Sequence, residues 1–206
     1  MGLRINDTIP NITVATDKGN ITLHDFVGDS WAIIFSHPKD FTPVCTTEFG
    51  AVAQLADEWA KRGTKVLGVS VDGVEEHVKW KRDIEQVANA KAEFAIVADE
   101  DLAMAKAFDG RTPADSATVR SVFIVGPDKQ LKLSMTYPMS VGRNFSEILR
   151  ALDGLQMASN GVATPANWQL GQDVIVPPTV STEDAKAKFG DVTEVLPYLR
   201  TVKAPA

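Results

Sequence analysis

The sequence predicts an α/β fold with a mixed central sheet and a small C-terminal extension. Three observations carry that expectation. Short apolar runs alternate with segments of helical periodicity, and a hairpin and a helix close the series. The pattern then dissolves into a stretch bearing Pro165, Pro177 and Pro178. A chain of 206 residues is long enough for one good core and a modest appendage.

The elements follow in order. Residues 11–16 and 20–23 flank Asp17-Lys18-Gly19 and predict a hairpin with a short glycine-containing loop. Residues 31–35, Trp-Ala-Ile-Ile-Phe, form a continuous apolar run, as in a strand buried on both faces. A helix is predicted over residues 43–62, with Val52, Leu55, Ala56 and Trp59 at helical spacing and Gly63 as its stop. Residues 65–71 predict a second buried strand, 74–90 a helix, 94–97 a third strand and 101–108 a short helix. Residues 118–125 and 131–136 read as a strand pair joined by Gly126-Pro127-Asp128-Lys129, which has strong turn chemistry. A last clear helix spans 144–157, with Phe145, Ile148, Leu149, Leu152 and Leu155 on one face. This order fits a thioredoxin-like architecture over residues 1–160. Residues 161–206 read as a linker, a short helix from Ser181 to about Phe189 and a tail too small to own a core.

Composition narrows the function. Hydrophobic residues at 44% and charged residues at 23% exclude disordered and fibrous classes. A net charge of −6 with no basic block argues against nucleic acid and anionic membranes as partners. No membrane span is expected, because the longest apolar run falls far short of the ~20 residues that cross a bilayer. The first residues lack the marks of a signal or transit peptide, so the expected location is cytoplasmic. The single cysteine, Cys45, cannot close an intramolecular disulfide, which agrees with a reducing compartment.

The informative segment is His37-Pro38-Lys39-Asp40-Phe41-Thr42-Pro43-Val44-Cys45-Thr46-Thr47-Glu48, between a buried strand and an amphipathic helix. Pro43 suits the first helical turn, and Thr42 is placed to cap it. Cys45 then falls in that turn, where unpaired N–H groups and the helix dipole favour an anion. The thiolate is the nucleophilic form of cysteine, so the position suits reactivity. Inert packing is the competing reading, since free cysteines are among the most buried residue types.

Pro38-x-x-x-Thr42-x-x-Cys45 resembles the signature of the peroxiredoxins, and residues 35–48 resemble their one-cysteine, peroxiredoxin six type, class. The resemblance continues at residues 119–125 and 141–145, and around Trp168 and Val176-Pro177-Pro178. It implies that Cys45 is the peroxidatic cysteine of a thiol-dependent peroxidase. By that resemblance Thr42 would hydrogen-bond the thiolate or the peroxide, Pro38 would shield the sulfur, and Arg120 would approach it from a neighbouring strand. Glu48 and Arg143 would orient Arg120, with His37 behind them. Cys45 would attack a peroxide oxygen and become a sulfenic acid. With no second cysteine, an external thiol such as glutathione or thioredoxin must reduce it. The class also implies a homodimer, with a decamer as the larger alternative, in which residues from about 161 reach toward the partner.

Two other activities compete. The animal members of the class carry a phospholipase A2-like hydrolase activity on a Ser, His, Asp set, which would be Ser30, His24 and Asp128 here. Gly28-Asp29-Ser30-Trp31-Ala32 lacks the final glycine of a nucleophile elbow and precedes a strand, so turn and loop roles are the better reading. A non-enzymatic holdase on the same fold is the third reading. Neither metal nor cofactor is expected: His24, His37 and His77 do not fall at ligand spacing with Cys45 or with each other. His77, in a charged helix, reads as a solvated residue.

Overall fold

A computed structural model describes residues 2–110 and 117–205. The backbone divides into two compact units, Met1–Phe145 and Ser146–Ala206.

The first unit is built on strands β1 (Thr13–Thr16), β2 (Gly19–Thr22), β3 (Trp31–Ser36), β4 (Thr64–Ser70), β5 (Ala95–Ala98), β6 (Arg120–Val125) and β7 (Leu131–Tyr137). They form one seven-stranded sheet in the order β2-β1-β5-β4-β3-β6-β7. The sheet is mixed: β3, β4 and β5 run parallel, while β6 pairs antiparallel with β3 and with β7. Central β3 is apolar on both faces and buried on both, as its uninterrupted run predicts.

The helices of this unit are α1 (Leu23–Val27), α2 (Pro43–Gln54), α3 (Ala56–Lys61), α4 (Val74–Ala88) and α5 (Ala103–Phe108). The sequence reading has no counterpart for α1, whose five residues are too few to show a period. The helix expected over 43–62 is broken at Leu55, which leaves helical geometry at ψ 13°. The Trp59 indole N–H donates to the Val52 carbonyl at 3.1 Å, satisfying an acceptor at the end of the first segment. Gly68 on β4 lets α2 come close: a Cβ there would lie 2.9 Å from the Phe49 ring. The start of α2 is thereby fixed at the carboxyl ends of β3 and β4, where open α/β sheets place their sites.

The second unit contains most of α6 (Phe145–Ala158), β8 (Val174–Ile175), α7 (Thr182–Phe189), β9 (Thr193–Leu196) and β10 (Leu199–Val202). The three strands form a sheet in the order β8-β10-β9. Met157, Val162, Trp168, Val174, Val176, Ala185 and Val202 pack into one buried cluster. The stretch expected as a linker instead supplies Val162, Trp168, Val174 and Val176 to this core, and of the residues after α7 only Val202 is among the seven. Trp168 supplies the bulk, and apolar residues spread along a proline-rich stretch converge on it without helical or strand periodicity. Among the described residues, no helix is long and apolar enough to cross a membrane.

Candidate active site

Pro43 opens α2 with Thr42 as N-cap, in extended geometry, as the sequence suggests. The capping itself differs from expectation. The Thr42 hydroxyl donates to the Lys39 carbonyl at 3.0 Å and makes no cap hydrogen bond. Nor does it donate to the Cys45 sulfur; its single proton is committed to the loop that precedes the helix.

Cys45 is the third residue of α2 and fully buried. Arg120, first residue of β6, places Nη1 3.3 Å from Cys45 Sγ and 2.7 Å from Glu48 Oε2. The Met139 carbonyl accepts from Arg120 Nε at 2.8 Å, which fixes the guanidinium from its far side. Glu48 lies one helical turn after Cys45, on the same face of α2. Its second partner is Arg143, whose Nε and Nη2 donate to the two carboxylate oxygens at 2.9 and 2.8 Å, while the Arg143 backbone N–H donates to Oε1 at 2.8 Å. Arg143 Nη1 donates to the carbonyls of Ser36 and Ser121. The Arg143 guanidinium lies over the rings of Phe35 and Phe145, 5.2 and 5.7 Å from their centroids.

Glu48 is thus a buried carboxylate between two guanidiniums. Burial pushes its carboxyl up, but the hydrogen bonds and charge of Arg143, with the charge of Arg120, outweigh burial and hold it below the usual range. Burial draws Arg143 down, and Glu48 opposes it. Pro38 is buried beside this cluster in sequence, while Phe41 is about half exposed and adopts φ +54°.

A second buried cluster lies in the loop before α2. Asp40 Oδ1 and Oδ2 accept from His37 Nε2 and His77 Nδ1, each at 2.6 Å. The Asp40 N–H donates to Asp72 at 2.8 Å, and Ser70 Oγ donates to Asp72 at 2.9 Å. The His37 ring packs edge-on to Phe49 and tilted against Trp80. His37, Asp40 and His77 are all buried, so the reading of His77 as a solvated residue is corrected. His77 lies on the inner face of α4, with Trp80 and Ile84, although its immediate neighbours are charged. Ligand atoms of His37, Asp40 and Asp72 lie within 4.8 Å of one another, a convergence that linear spacing of the histidines does not reveal. His37 Nε2 and the carboxylates of Asp40 and Asp72 are engaged in the hydrogen bonds just described, whereas His37 Nδ1 has no partner among the described residues.

Burial pushes the Asp40 carboxyl up, but hydrogen bonds from His37 and His77 reverse the effect and bring it down to about 2. Desolvation lowers His37, against the pull of Asp40. Asp40, Asp72 and His77 are the residues that sequence reasoning misses. A carboxylate three residues after a histidine in a short loop is the one local signal.

The Ser30, His24, Asp128 set does not assemble. His24 Nε2 pairs with the Ile9 carbonyl at 2.8 Å, the Asp128 carboxylate pairs with Lys132, and the Ser30 N–H donates to Val27. No hydrogen bond joins the three.

Known proteins resemble this chain over nearly its whole length. Residues 5–134 match the AhpC/TSA family, and residues 154–191 match the C-terminal domain of 1-Cys peroxiredoxin. Peroxiredoxin-6 of Rattus norvegicus is 48% identical, over 99% of this chain and 99% of its own. The mitochondrial peroxiredoxin PRX1 of Saccharomyces cerevisiae is 48% identical over 98% of this chain and 81% of its own. A solved mutant of the peroxiredoxin 6 of Arenicola marina superposes with a TM-score of 0.94 at 41% identity, covering 99% of each chain. The solved yeast mitochondrial 1-Cys peroxiredoxin, described as resolved via glutathione/thioredoxin systems, gives a TM-score of 0.91 at 46% identity, over 98% of this chain and 99% of its own. Taken with the single cysteine at the start of α2, these matches mean that the chain belongs to the one-cysteine class of the AhpC/TSA peroxiredoxin family.

Proposed function

We propose that the protein is a thiol-dependent peroxidase that reduces hydrogen peroxide and organic hydroperoxides through Cys45. The observation that carries this reading is the Arg120 guanidinium 3.3 Å from the only sulfur nucleophile, braced by Glu48. The Cys45 thiolate attacks the terminal oxygen of the peroxide in line with the O–O bond. That bond breaks, and its electron pair leaves on the departing oxygen, which takes up a proton as water or alcohol. Cys45 is left as a sulfenic acid. Arg120 is a fixed cation aimed at the developing charge, and such preorganised groups are usually the largest catalytic term. Thr42 and Pro38 shape the mouth of the site, Glu48 and Arg143 hold Arg120, and His37 supports the loop from behind.

An external thiol completes the cycle, because no second cysteine exists to resolve the sulfenic acid. The glutathione/thioredoxin systems of the yeast relative point to the same class of reductant here. A thiol reductant suits a reducing compartment, and we assign the protein to the cytoplasm. Residues 1–160 serve as the peroxidase domain and 161–206 as an extension associated with a homodimer.

Peroxide consumption with dithiothreitol as reductant tests the reading directly. A sulfenic-acid reagent should label Cys45 after brief exposure to peroxide. Absence of turnover with dithiothreitol, glutathione and thioredoxin alike would refute it.

A further inference from the structure

Neither the family signature nor the charges around Cys45 explain why a carboxylate and two imidazoles are buried in the preceding loop. Asp40 sits between Pro38 and Thr42, so whatever holds Asp40 holds the backbone that shapes the peroxide site. Three hydrogen bonds hold it: one from His37 Nε2, one from His77 Nδ1, and one from its own N–H to the Asp72 carboxylate. Two of these involve the turn after β4 and α4, neither of which carries a residue assigned to the peroxidase reaction.

The hydrogen-bond geometry fixes where the protons are. His77 Nδ1 faces the Asp40 carboxylate at 2.6 Å, and His77 Nε2 faces the Val97 carbonyl of β5 at 3.2 Å. Both partners only accept, so both ring nitrogens of His77 must donate, and an imidazole that donates twice is a cation. His37 differs. Its Nε2 donates to Asp40, whereas its Nδ1 is buried without a hydrogen-bond partner, which suits a neutral ring. The Asp40 charge is thus balanced by one imidazolium and stabilised by one neutral N–H. His77 lies in the first turn of α4, where the helix dipole opposes a cation. The Asp40 charge offsets that cost.

We infer that His77 is a buried, doubly protonated positioning residue, which ties α4 and β5 to the peroxide-binding loop through an ion pair with Asp40. It does not touch the reacting atoms. It acts through Asp40 on the placement of Pro38 and Thr42, and a small displacement of positioning groups costs rates heavily. This inference rests on the peroxidase reading for its kinetic consequence but not for the protonation state.

Two measurements test it. Long-range proton–nitrogen correlation spectra of the full chain near neutral pH should show both His77 ring nitrogens protonated, with His37 protonated at Nε2 only. A His77 ring with one unprotonated nitrogen overturns the inference. In stopped-flow oxidation by hydrogen peroxide, His77→Leu should lower the second-order rate constant about 10- to 100-fold. His77→Asn, which keeps an amide donor near the Nδ1 position, should recover a substantial part of that loss. A wild-type rate in His77→Leu overturns the positioning role, as does equal loss in the Leu and Asn variants at equal folded fraction. If His77→Leu does not fold, the spectrum and a wild-type-to-Asn rate comparison still decide: an Asn variant slowed by the full loss expected of Leu, about 10- to 100-fold, overturns it. Inactivity of the wild-type chain toward peroxide would sink the peroxidase reading and leave the protonation result standing.

Discussion

Two buried polar clusters flank the start of α2, and they are built from different chemistry. Around Cys45, two guanidiniums share one carboxylate. Around Asp40, one carboxylate is shared by two imidazoles. Guanidinium keeps its charge at any ordinary pH, whereas imidazole changes charge near neutrality. The comparison teaches a division of labour. The cation beside the sulfur is one that peroxide chemistry cannot neutralise, and the titratable groups stand behind the loop, where they position rather than react.

The largest effect should come from the sulfur itself. Cys45→Ser is expected to abolish peroxide consumption with dithiothreitol while far-UV circular dichroism stays unchanged. Residual turnover near the wild-type level would move the chemistry out of the first cluster altogether.

Glu48→Gln comes next and asks whether the first cluster is a genuine charge balance. It leaves Arg120 and Arg143 buried with no carboxylate between them. Removing one partner of a buried ion pair costs about 3–5 kcal/mol, so urea denaturation should show a loss of that order. A loss under about 1 kcal/mol would mean that the carbonyls of Met139, Ser36 and Ser121 satisfy both arginines without help.

Arg120→Ala should behave differently, because Glu48 keeps its bidentate bond to Arg143. Stability should change little, while the rate constant for hydrogen peroxide falls about 10²–10³-fold. Equal damage to fold and rate would make Arg120 a structural residue and blur the contrast with Arg143.

The two clusters are unequally legible in the sequence. The central sheet was legible because β3, β4 and β6 are continuous apolar runs, and burial on both faces leaves that mark. The start of α2 was legible from Pro43 alone. Arg120, Glu48 and Arg143 came from resemblance to a family, since residues 72 and 95 positions apart carry no local sign of contact. Asp40 and His77 were missed for a related reason. Glu75, Glu76, Lys79 and Lys81 surround His77 in sequence and suggest solvent, but helical spacing puts His77, Trp80 and Ile84 on one inward face. The strands β9 and β10 were hidden because β9 is exposed along its length and shows no alternation.

The smallest effect isolates the second cluster through its response to acid. The Asp40 carboxyl ionises at about 2 in the folded protein, against 3.8 as its ordinary value. A carboxyl lowered by folding contributes stability that is fully present above the ordinary value and is lost as pH falls through the folded one. The loss between roughly pH 4 and pH 2 should be on the order of 2 kcal/mol. Glu48 is also lowered and contributes in the same direction, so the wild-type curve alone does not separate the clusters. Asp40→Asn does. It removes the titrating group while leaving an oxygen to accept from one imidazole, so its urea midpoint should fall less steeply over this range than that of the wild type. Parallel curves would mean that Asp40 is not ionised against His77, and the two clusters would then differ in composition but not in the work their charges perform.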